Sequence, residues 1–167
     1  MTVDIIKNIL PKENNKEILN YLCNEVSWYI AREHKKPYDI IFKDNLHLGY
    51  AYCSNLVPNQ EILNIPANII MNTVLEKTNR KGKLFRFMWN MYNKNQESFA
   101  HVDHHLENYI SVIYALHTTD GGTEINDKFY KDQESEAKIF KSNVTHRGIG
   151  PKKNFVRFNL NIVIELI

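Results

Sequence analysis

The spacing of hydrophobic positions changes about halfway along the chain. Before about residue 83, apolar side chains recur at intervals of three and four, which is typical of amphipathic helices. Beyond that point they alternate at every second residue, as in strands with one buried face. Helices followed by short strands and turns favour an antiparallel sandwich or barrel backed by N-terminal helices over alternating βαβ units.

Two helices are predicted in the first half. Asn14 fits a helix N-cap with Glu17 as its capping-box partner, and the apolar pattern continues to about Glu33. A second helix is predicted to open at Pro58 and to restart at Pro66, because proline is tolerated in a first helical turn. Its apolar side is expected to contain Ile69, Ile70, Val74 and Leu75.

The strands of the second half each have two distinct faces. In the strand from Leu84 to Tyr92, Phe85, Phe87, Trp89 and Met91 form an apolar face, predicted to be core. Its other face is predicted to line a cavity, because the buried amide of Asn90 and phenol of Tyr92 would need partners. The last strand, residues 156–167, has a polar face with Arg157, Asn159 and Asn161.

The charged segment 126–136 shows little periodicity and is predicted to be a mobile surface loop.

Composition and charge narrow the class of protein. The 167 residues are expected to form one domain, 1–167, with helical support in 1–83 and a strand-rich core in 84–167. A net charge of +2 gives no argument for nucleic-acid binding. Cys23 and Cys53 are expected to be buried free thiols. The sequence shows neither a secretory signal nor an apolar run of about 20 residues, so a cytoplasmic protein without a membrane contact is expected.

The segment Phe99–His105 carries the clearest chemistry. In an extended chain alternate side chains share a face, so His101 and Asp103 point the same way. An open site with two histidines and one carboxylate is the pattern of non-haem Fe(II) centres that activate oxygen. His146 is the best third ligand, because it follows a strand and lies far enough along for a hairpin to return it. Because His-x-Asp is common by chance, the prediction depends on all three residues.

Arg157 stands within an otherwise apolar strand. A buried guanidinium needs an anion, and its fork matches a carboxylate with two hydrogen bonds. A bound acid can supply that carboxylate, and so can Glu165 or Glu124 in a structural ion pair. Both interpretations remain open from the sequence.

These motifs together resemble those of the 2-oxoglutarate/Fe(II)-dependent dioxygenases, and within them the small prolyl-4-hydroxylase-like members. The resemblance extends over about Phe85 to Leu166. Its motifs are Asn90-Met91-Tyr92, His101-Val102-Asp103, the hairpin from Ile113-Tyr114 to Gly121-Gly122-Thr123, His146-Arg147-Gly148 and Arg157-Phe158-Asn159. Each motif is weak alone, and their order and spacing make the pattern specific.

The resemblance implies an α+β, mainly β fold, a double-stranded β-helix (jelly roll), with His101, Asp103 and His146 as catalytic and metal-binding residues. It implies Fe(II), 2-oxoglutarate and O2 as cofactors, with ascorbate as an optional reductant. The 2-oxoglutarate-binding residues would be Arg157 and Tyr92, with Tyr114 or Asn159 adding another contact. The implied reaction hydroxylates a C–H bond of a protein side chain, such as proline, or of an amino acid, and decarboxylates 2-oxoglutarate to succinate.

Two departures keep alternatives open. Thr123 stands one residue earlier than in the Gly-Gly-x-Thr pattern of prolyl hydroxylases, so no role is assigned to it. Nucleic-acid demethylases of the superfamily have a second arginine where this chain has Val163, which favours a peptide or protein substrate over nucleic acid. The alternatives are a nucleobase-modifying dioxygenase and a non-catalytic, cupin-like metal-binding module. His104, His105 and His117 are not expected to bind the metal.

Overall fold

A computed structural model of the chain describes residues 2–26, 28–30, 48–52 and 61–167. Within these ranges there are two helices, α1 (Lys12–Asn24) and α2 (Glu61–Lys77). The same ranges contain ten strands: β1 (Asp4–Ile6), β2 (Tyr29–Ile30), β3 (Leu48–Tyr52), β4 (Gly82–Asn93), β5 (Tyr109–Ala115), β6 (Gly122–Ile125), β7 (Lys128–Lys131), β8 (Glu136–Lys141), β9 (His146–Ile149) and β10 (Val156–Leu166).

The strands form two antiparallel sheets. The larger has the order β1-β8-β5-β10-β4-β3-β2, and the smaller the order β7-β6-β9. Single bridges from Glu97 to Ile149 and from His101 to His146 add the segment 97–101 to the edge of the smaller sheet. Four strands of the larger sheet, β8-β5-β10-β4, therefore face four segments of the smaller one. This arrangement confirms the predicted mainly β fold of a double-stranded β-helix.

The hydrophobic core lies between the helices and the outer face of the larger sheet. β10 alternates as predicted, with Phe158, Leu160, Ile162 and Ile164 in this core. The inner face of β10, with Arg157, Asn159 and Asn161, is turned toward the smaller sheet. From α2 the core receives six residues, which recur at intervals of one, three and four: Leu63, Ala67, Ile70, Met71, Val74 and Leu75.

Helix α1 differs from the prediction at both ends. It begins at Lys12, directly after Pro11, so Asn14 lies inside the helix and does not cap it. It ends at Asn24, where the Glu25 N–H bonds to the Tyr21 carbonyl, and a short strand, β2, follows. Glu33 lies outside the described residues. The apolar spacing used to extend the helix is also compatible with a strand over a few residues, which explains the error.

Helix α2 continues through Pro66 instead of restarting there. Ile69, predicted on its apolar side, is 47% exposed. The helix ends as predicted near Asn79, whose φ of 51° is the left-handed conformation that asparagine tolerates. The bonds from Asn79 N–H to Glu76 O and from Arg80 N–H to Leu75 O complete a Schellman motif. Pro58 lies outside the described residues.

The segment 126–136 is not the mobile surface loop predicted from its charge. Asn126 and Asp127, with φ of 47° and 62°, form a two-residue turn that joins β6 to β7. Asp132 and Glu136 are buried, because each carboxylate lies near a cation on the inside of the jelly roll. Two of the charged residues in this segment are therefore buried, although most of its other residues are exposed.

The N-terminal part also contributes strands to the sheet, since β1 pairs with β8 and β3 with β4. Cys23 is a free thiol as predicted, but it is exposed instead of buried; Cys53 lies outside the described residues. Among the described residues, the helices are too short or too polar to cross a membrane.

Candidate metal and oxo-acid site

His101 and His146 are brought together by a backbone bridge between the segment 97–101 and β9. Each N–H bonds to the carbonyl of the other residue, at 3.0 Å from His101 N and 2.9 Å from His146 N. The bridge sets the two imidazoles side by side, with ring centroids 4.5 Å apart. Asp103 is fixed next to them because its backbone N–H bonds to the Ser142 carbonyl at 2.9 Å.

Hydrogen bonds at Nδ1 turn both imidazoles in the same sense. His101 Nδ1 is 2.9 Å from the Phe99 carbonyl and His146 Nδ1 is 3.0 Å from the Val144 carbonyl, so each Nδ1 carries the proton. The Nε2 atoms are then turned toward Asp103, at 3.8 Å for His101 and 3.4 Å for His146. Carbonyl-bound imidazoles of this kind are typical of metal ligands.

A divalent metal fits this donor set. His146 Nε2 is buried and has no hydrogen-bond partner, which is costly unless the atom binds something. One ligand atom from each of His101, Asp103 and His146 lies within 4.8 Å of the others. Two imidazole nitrogens and one carboxylate on one side of a site suit Fe(II) and leave further coordination positions for small molecules.

The Asp103 carboxylate is held from three sides, and its side chain is fully buried. The Arg86 guanidinium forms an ion pair with Oδ1, and the Ser111 hydroxyl donates to Oδ2 at 2.6 Å. Asn161 Nδ2 lies 3.2 Å from both oxygens. Burial alone would raise the pKa of Asp103, but the interactions with His146, Arg86 and Ser111 hold it well below its usual range. The carboxylate is therefore ionised and fixed in position, as a metal ligand needs to be.

Burial and the neighbouring charge of His146 lower the pKa of the His101 imidazole. The neutral form is the one that binds a metal. Burial also acts to lower the pKa of His146, but the adjacent Asp103 carboxylate outweighs it and raises that pKa.

Arg157 is fully buried and is already paired. Its Nε donates to Asp132 Oδ2 at 2.6 Å, and its Nη2 lies 3.3 Å from Asp132 Oδ1. Nη2 also donates to the Thr123 hydroxyl at 2.8 Å. The internal counter-ion is thus Asp132, and neither Glu165 nor Glu124 takes that place: Glu165 pairs with Lys83 and Glu124 with Arg147.

Tyr92 and Asn159, predicted to bind the same cosubstrate as Arg157, do lie beside it. The guanidinium carbon of Arg157 is 5.0 Å from the centroid of the Tyr92 ring. When the side-chain oxygen of Asn159 faces Arg157, it accepts hydrogen bonds from Nη1 and Nη2 at 3.1 and 3.0 Å. The Tyr92 hydroxyl packs against Gly148, where a Cβ would overlap it. Arg157, Tyr92, Asn159 and Gly148 therefore form one contiguous cluster.

Tyr114 is not part of this cluster. Its side chain belongs to the core between sheet and helices, on the opposite face of β5 from Ser111. Its hydroxyl donates to Asn15 Oδ1 at 2.5 Å, so it ties α1 to the sheet. The predicted cosubstrate contact was wrong because alternate residues of a strand face opposite sides. Tyr114 faces the core, whereas Ser111 faces the candidate site.

Three other histidines of the described residues lie elsewhere. His104 stacks on Tyr109, with ring centroids 3.6 Å apart, and His105 is exposed. His117 Nε2 accepts the backbone N–H of Phe158 at 3.1 Å. None of the three is in the metal-ligand cluster found among the described residues.

Several residues that shape the site were not assigned a role from the sequence: Arg86, Ser111, Thr123, Asp132 and Lys138. Arg86 and Ser111 were detectable in part, because each occupies an inward position of a correctly predicted strand. Asp132 and Lys138 were not, because a buried pair of opposite charges resembles a solvated surface in sequence.

Comparison with known proteins gives matches among solved structures only. No protein-family model and no curated protein matches the chain. A prolyl hydroxylase from Trichoplax adhaerens, in complex with a hypoxia inducible factor peptide, matches with a TM-score of 0.71 at 13% identity over 98% of this chain and 83% of that one.

Two further solved structures represent different substrates. The epimerase SnoN, in complex with Fe3+, α-ketoglutarate and nogalamycin RO, matches with a TM-score of 0.70 at 9% identity, over 98% of this chain and 78% of that one. The viral collagen prolyl hydroxylase vCPH from Paramecium bursaria Chlorella virus-1, a 2-oxoglutarate complex, matches at 0.64 and 12% identity, over 99% and 97%. The chain therefore has the double-stranded β-helix fold of these solved 2-oxoglutarate oxygenases and prolyl hydroxylases.

Proposed function

We propose that this protein is an Fe(II)- and 2-oxoglutarate-dependent dioxygenase that hydroxylates a C–H bond. The observation that carries the proposal is the cluster of His101, His146 and a fixed, ionised Asp103, whose ligand atoms lie within 4.8 Å of one another. His146 Nε2 is buried without a hydrogen bond and lies 3.4 Å from Asp103 Oδ2, so a cation between the two atoms would satisfy both. The fold and the bound metal and cosubstrate of the solved neighbours support the same chemistry.

In this proposal each residue has one task. His101, Asp103 and His146 would hold the iron, while Arg86, Ser111 and Asn161 keep the Asp103 carboxylate in place. When bound, Fe(II) with 2-oxoglutarate supplies the oxidation, in which O2 is consumed and 2-oxoglutarate becomes succinate. Arg157, Tyr92 and Asn159 would bind the distal carboxylate of 2-oxoglutarate.

For the substrate we propose a protein or peptide side chain, with proline as the first candidate. Support comes from the collagen prolyl hydroxylase and the peptide complex among the neighbours. Because SnoN is in complex with nogalamycin RO, small-molecule substrates should be tested alongside peptides.

A modified nucleobase is a second candidate, and Arg86 is the observation that favours it. Val163, which occupies the position of the second arginine of nucleic-acid demethylases, pairs across the sheet with Arg86. The guanidinium of Arg86 contacts Asp103, and the Arg86 side chain is 23% exposed, so the adjacent strand supplies an arginine at this carboxylate.

The proposal is tested by adding Fe(II) and then 2-oxoglutarate to the protein without oxygen. A metal-to-ligand charge-transfer absorption band is expected, because 2-oxoglutarate chelates the iron, and Asp103→Ala should lack it. Metal binding without a band would contradict the oxygenase and support a non-catalytic, cupin-like module. Succinate formation with proline-containing peptides, free amino acids and methylated oligonucleotides would then separate the substrate classes.

A further inference from the structure

Lys138 is a fully buried lysine on the inner face of β8. Its position on that face follows from Phe140, two residues later, whose ring lies 4.9 Å from that of His146. Ala137 and Ile139, between them, belong to the core on the other side of the sheet. The ammonium group therefore enters the same interior as the metal ligands and Arg157.

Lys138 and Arg157 share one carboxylate. Asp132 Oδ1 accepts from Lys138 Nζ at 3.0 Å and lies 3.3 Å from Arg157 Nη2, while Oδ2 accepts from Arg157 Nε at 2.6 Å. The nearest second anion is Glu136, whose Oε1 is 3.9 Å from Lys138 Nζ, beyond hydrogen-bond distance. Asp132 and Glu136 therefore balance the charges of the two cations, but only Asp132 accepts a hydrogen bond from Lys138 among the described residues.

The donors of Arg157 are also largely used. Asp132 accepts hydrogen bonds from Nε and Nη2, Thr123 accepts one from Nη2, and Asn159 accepts from Nη1 and Nη2. Little of the two-bond fork that would hold a carboxylate is left. A lysine ammonium has three donors, and in Lys138 only one reaches an acceptor within hydrogen-bond distance among the described residues.

We propose that Lys138 is a second cationic contact for the distal carboxylate of the 2-oxo acid, acting together with Arg157. The inference rests on the proposed function. Asp132 orients both cations, and Lys138 adds ammonium N–H donors that a second carboxylate can accept from. The pocket therefore selects dicarboxylic over monocarboxylic 2-oxo acids through two residues on different strands, β8 and β10.

The test compares Lys138→Gln with Lys141→Gln, a lysine of the same strand that is exposed and pairs with Glu107. Each protein is loaded with Mn(II), and the Kd values of 2-oxoglutarate and of the monocarboxylate 2-oxobutyrate are measured by calorimetry. In Lys138→Gln we expect the 2-oxoglutarate Kd to rise about 10- to 100-fold, the effect of losing a charged hydrogen bond. The Kd values of Mn(II) and 2-oxobutyrate should stay within about threefold of wild type, and Lys141→Gln should match wild type.

The other results overturn the inference. A 2-oxoglutarate Kd unchanged in Lys138→Gln, or an equal loss for both oxo acids, would leave Lys138 only a structural partner of Asp132. Wild-type protein that binds Mn(II) but no 2-oxoglutarate would overturn the proposed function as well, which separates the two failures. If Lys138→Gln does not fold, Lys138→Arg is measured in its place. Because a guanidinium holds its charge and donors in a different position from an ammonium, the Kd of 2-oxoglutarate should change more than threefold. The Kd of 2-oxobutyrate should stay at the wild-type value.

Discussion

Asp132 and Arg157 form a fully buried ion pair that joins the end of the β6–β7 hairpin to the last strand, with Asp132 Oδ2 2.6 Å from Arg157 Nε. The pair connects the two sheets of the jelly roll, because Arg157 also bonds to Thr123 of β6. The same residues therefore hold the sheets together and form the wall of the proposed cosubstrate pocket.

Asp132→Ala should lower the free energy of unfolding by about 3–5 kcal/mol, because it leaves the Arg157 guanidinium and the Lys138 ammonium buried with too little negative charge. Urea denaturation followed by fluorescence measures the change. Asp127→Asn, in the exposed turn of the same hairpin, is the control and should change the free energy by less than about 0.5 kcal/mol. Equal effects of the two substitutions would mean that the buried pair contributes no particular stability.

Alanine substitutions of His101, Asp103 and His146 should each abolish iron-dependent succinate formation, because each removes one of three ligands. The matched control is His105→Ala, a histidine two residues from Asp103 that is exposed and outside the cluster. It should keep wild-type turnover. Succinate is measured after incubation with Fe(II), 2-oxoglutarate and oxygen. Wild-type turnover in any ligand variant would remove that residue from the essential set.

The strand half of the fold and the three candidate ligands were predictable because a strand has a strict two-residue period. Once β4 and β10 are recognised, Tyr92, Arg157 and Asn159 must share the inner face, and the structure brings them together. The grouping of His101, Asp103 and His146 was predictable for a chemical reason, because two imidazoles and one carboxylate are a known donor set for Fe(II).

The counter-ion of Arg157 was not predictable, because its identity depends on three-dimensional pairing. Asp132 stands among charged residues that do reach solvent, and only the packing of the hairpin buries it. The end of α1 was missed for a related reason: helical spacing persists over residues that form a strand once they pair with β3. Tyr114 was misassigned because a motif was matched without checking which face it occupied.

Ser111→Ala should weaken metal binding by about 10- to 100-fold, the usual cost of removing a group that orients a metal ligand. The Ser111 hydroxyl donates to Asp103 Oδ2 at 2.6 Å, so its loss leaves that oxygen less restrained. Ser142→Ala is a close control, because the Ser142 hydroxyl contacts Ser111 but not Asp103. Calorimetric titration with Mn(II) gives both affinities. An equal loss in the two variants would indicate disturbed packing.

Tyr114→Phe should change how stability depends on pH above 10. Burial raises the pKa of Tyr114 to about 12 in the folded protein, whereas an unfolded chain has a value near 10. Between these values the unfolded state releases the proton and the folded state retains it, so the Tyr114 contribution to stability is complete below pH 10 and is lost toward pH 12. The loss amounts to roughly 2–3 kcal/mol, at about 1.4 kcal/mol per unit of pKa.

Tyr114→Phe should be less stable than wild type at neutral pH, by about 1–2 kcal/mol, because Asn15 Oδ1 loses its donor. As the pH rises from 10 to 12 the difference should shrink and then change sign, because only the wild type has a phenol to ionise at this position. Denaturant titrations at several pH values measure the difference, with Tyr130→Phe, at a half-buried tyrosine of β7, as the control. A constant difference across this range would show that Tyr114 ionises equally in both states, and that its bond to α1 contributes no pH dependence.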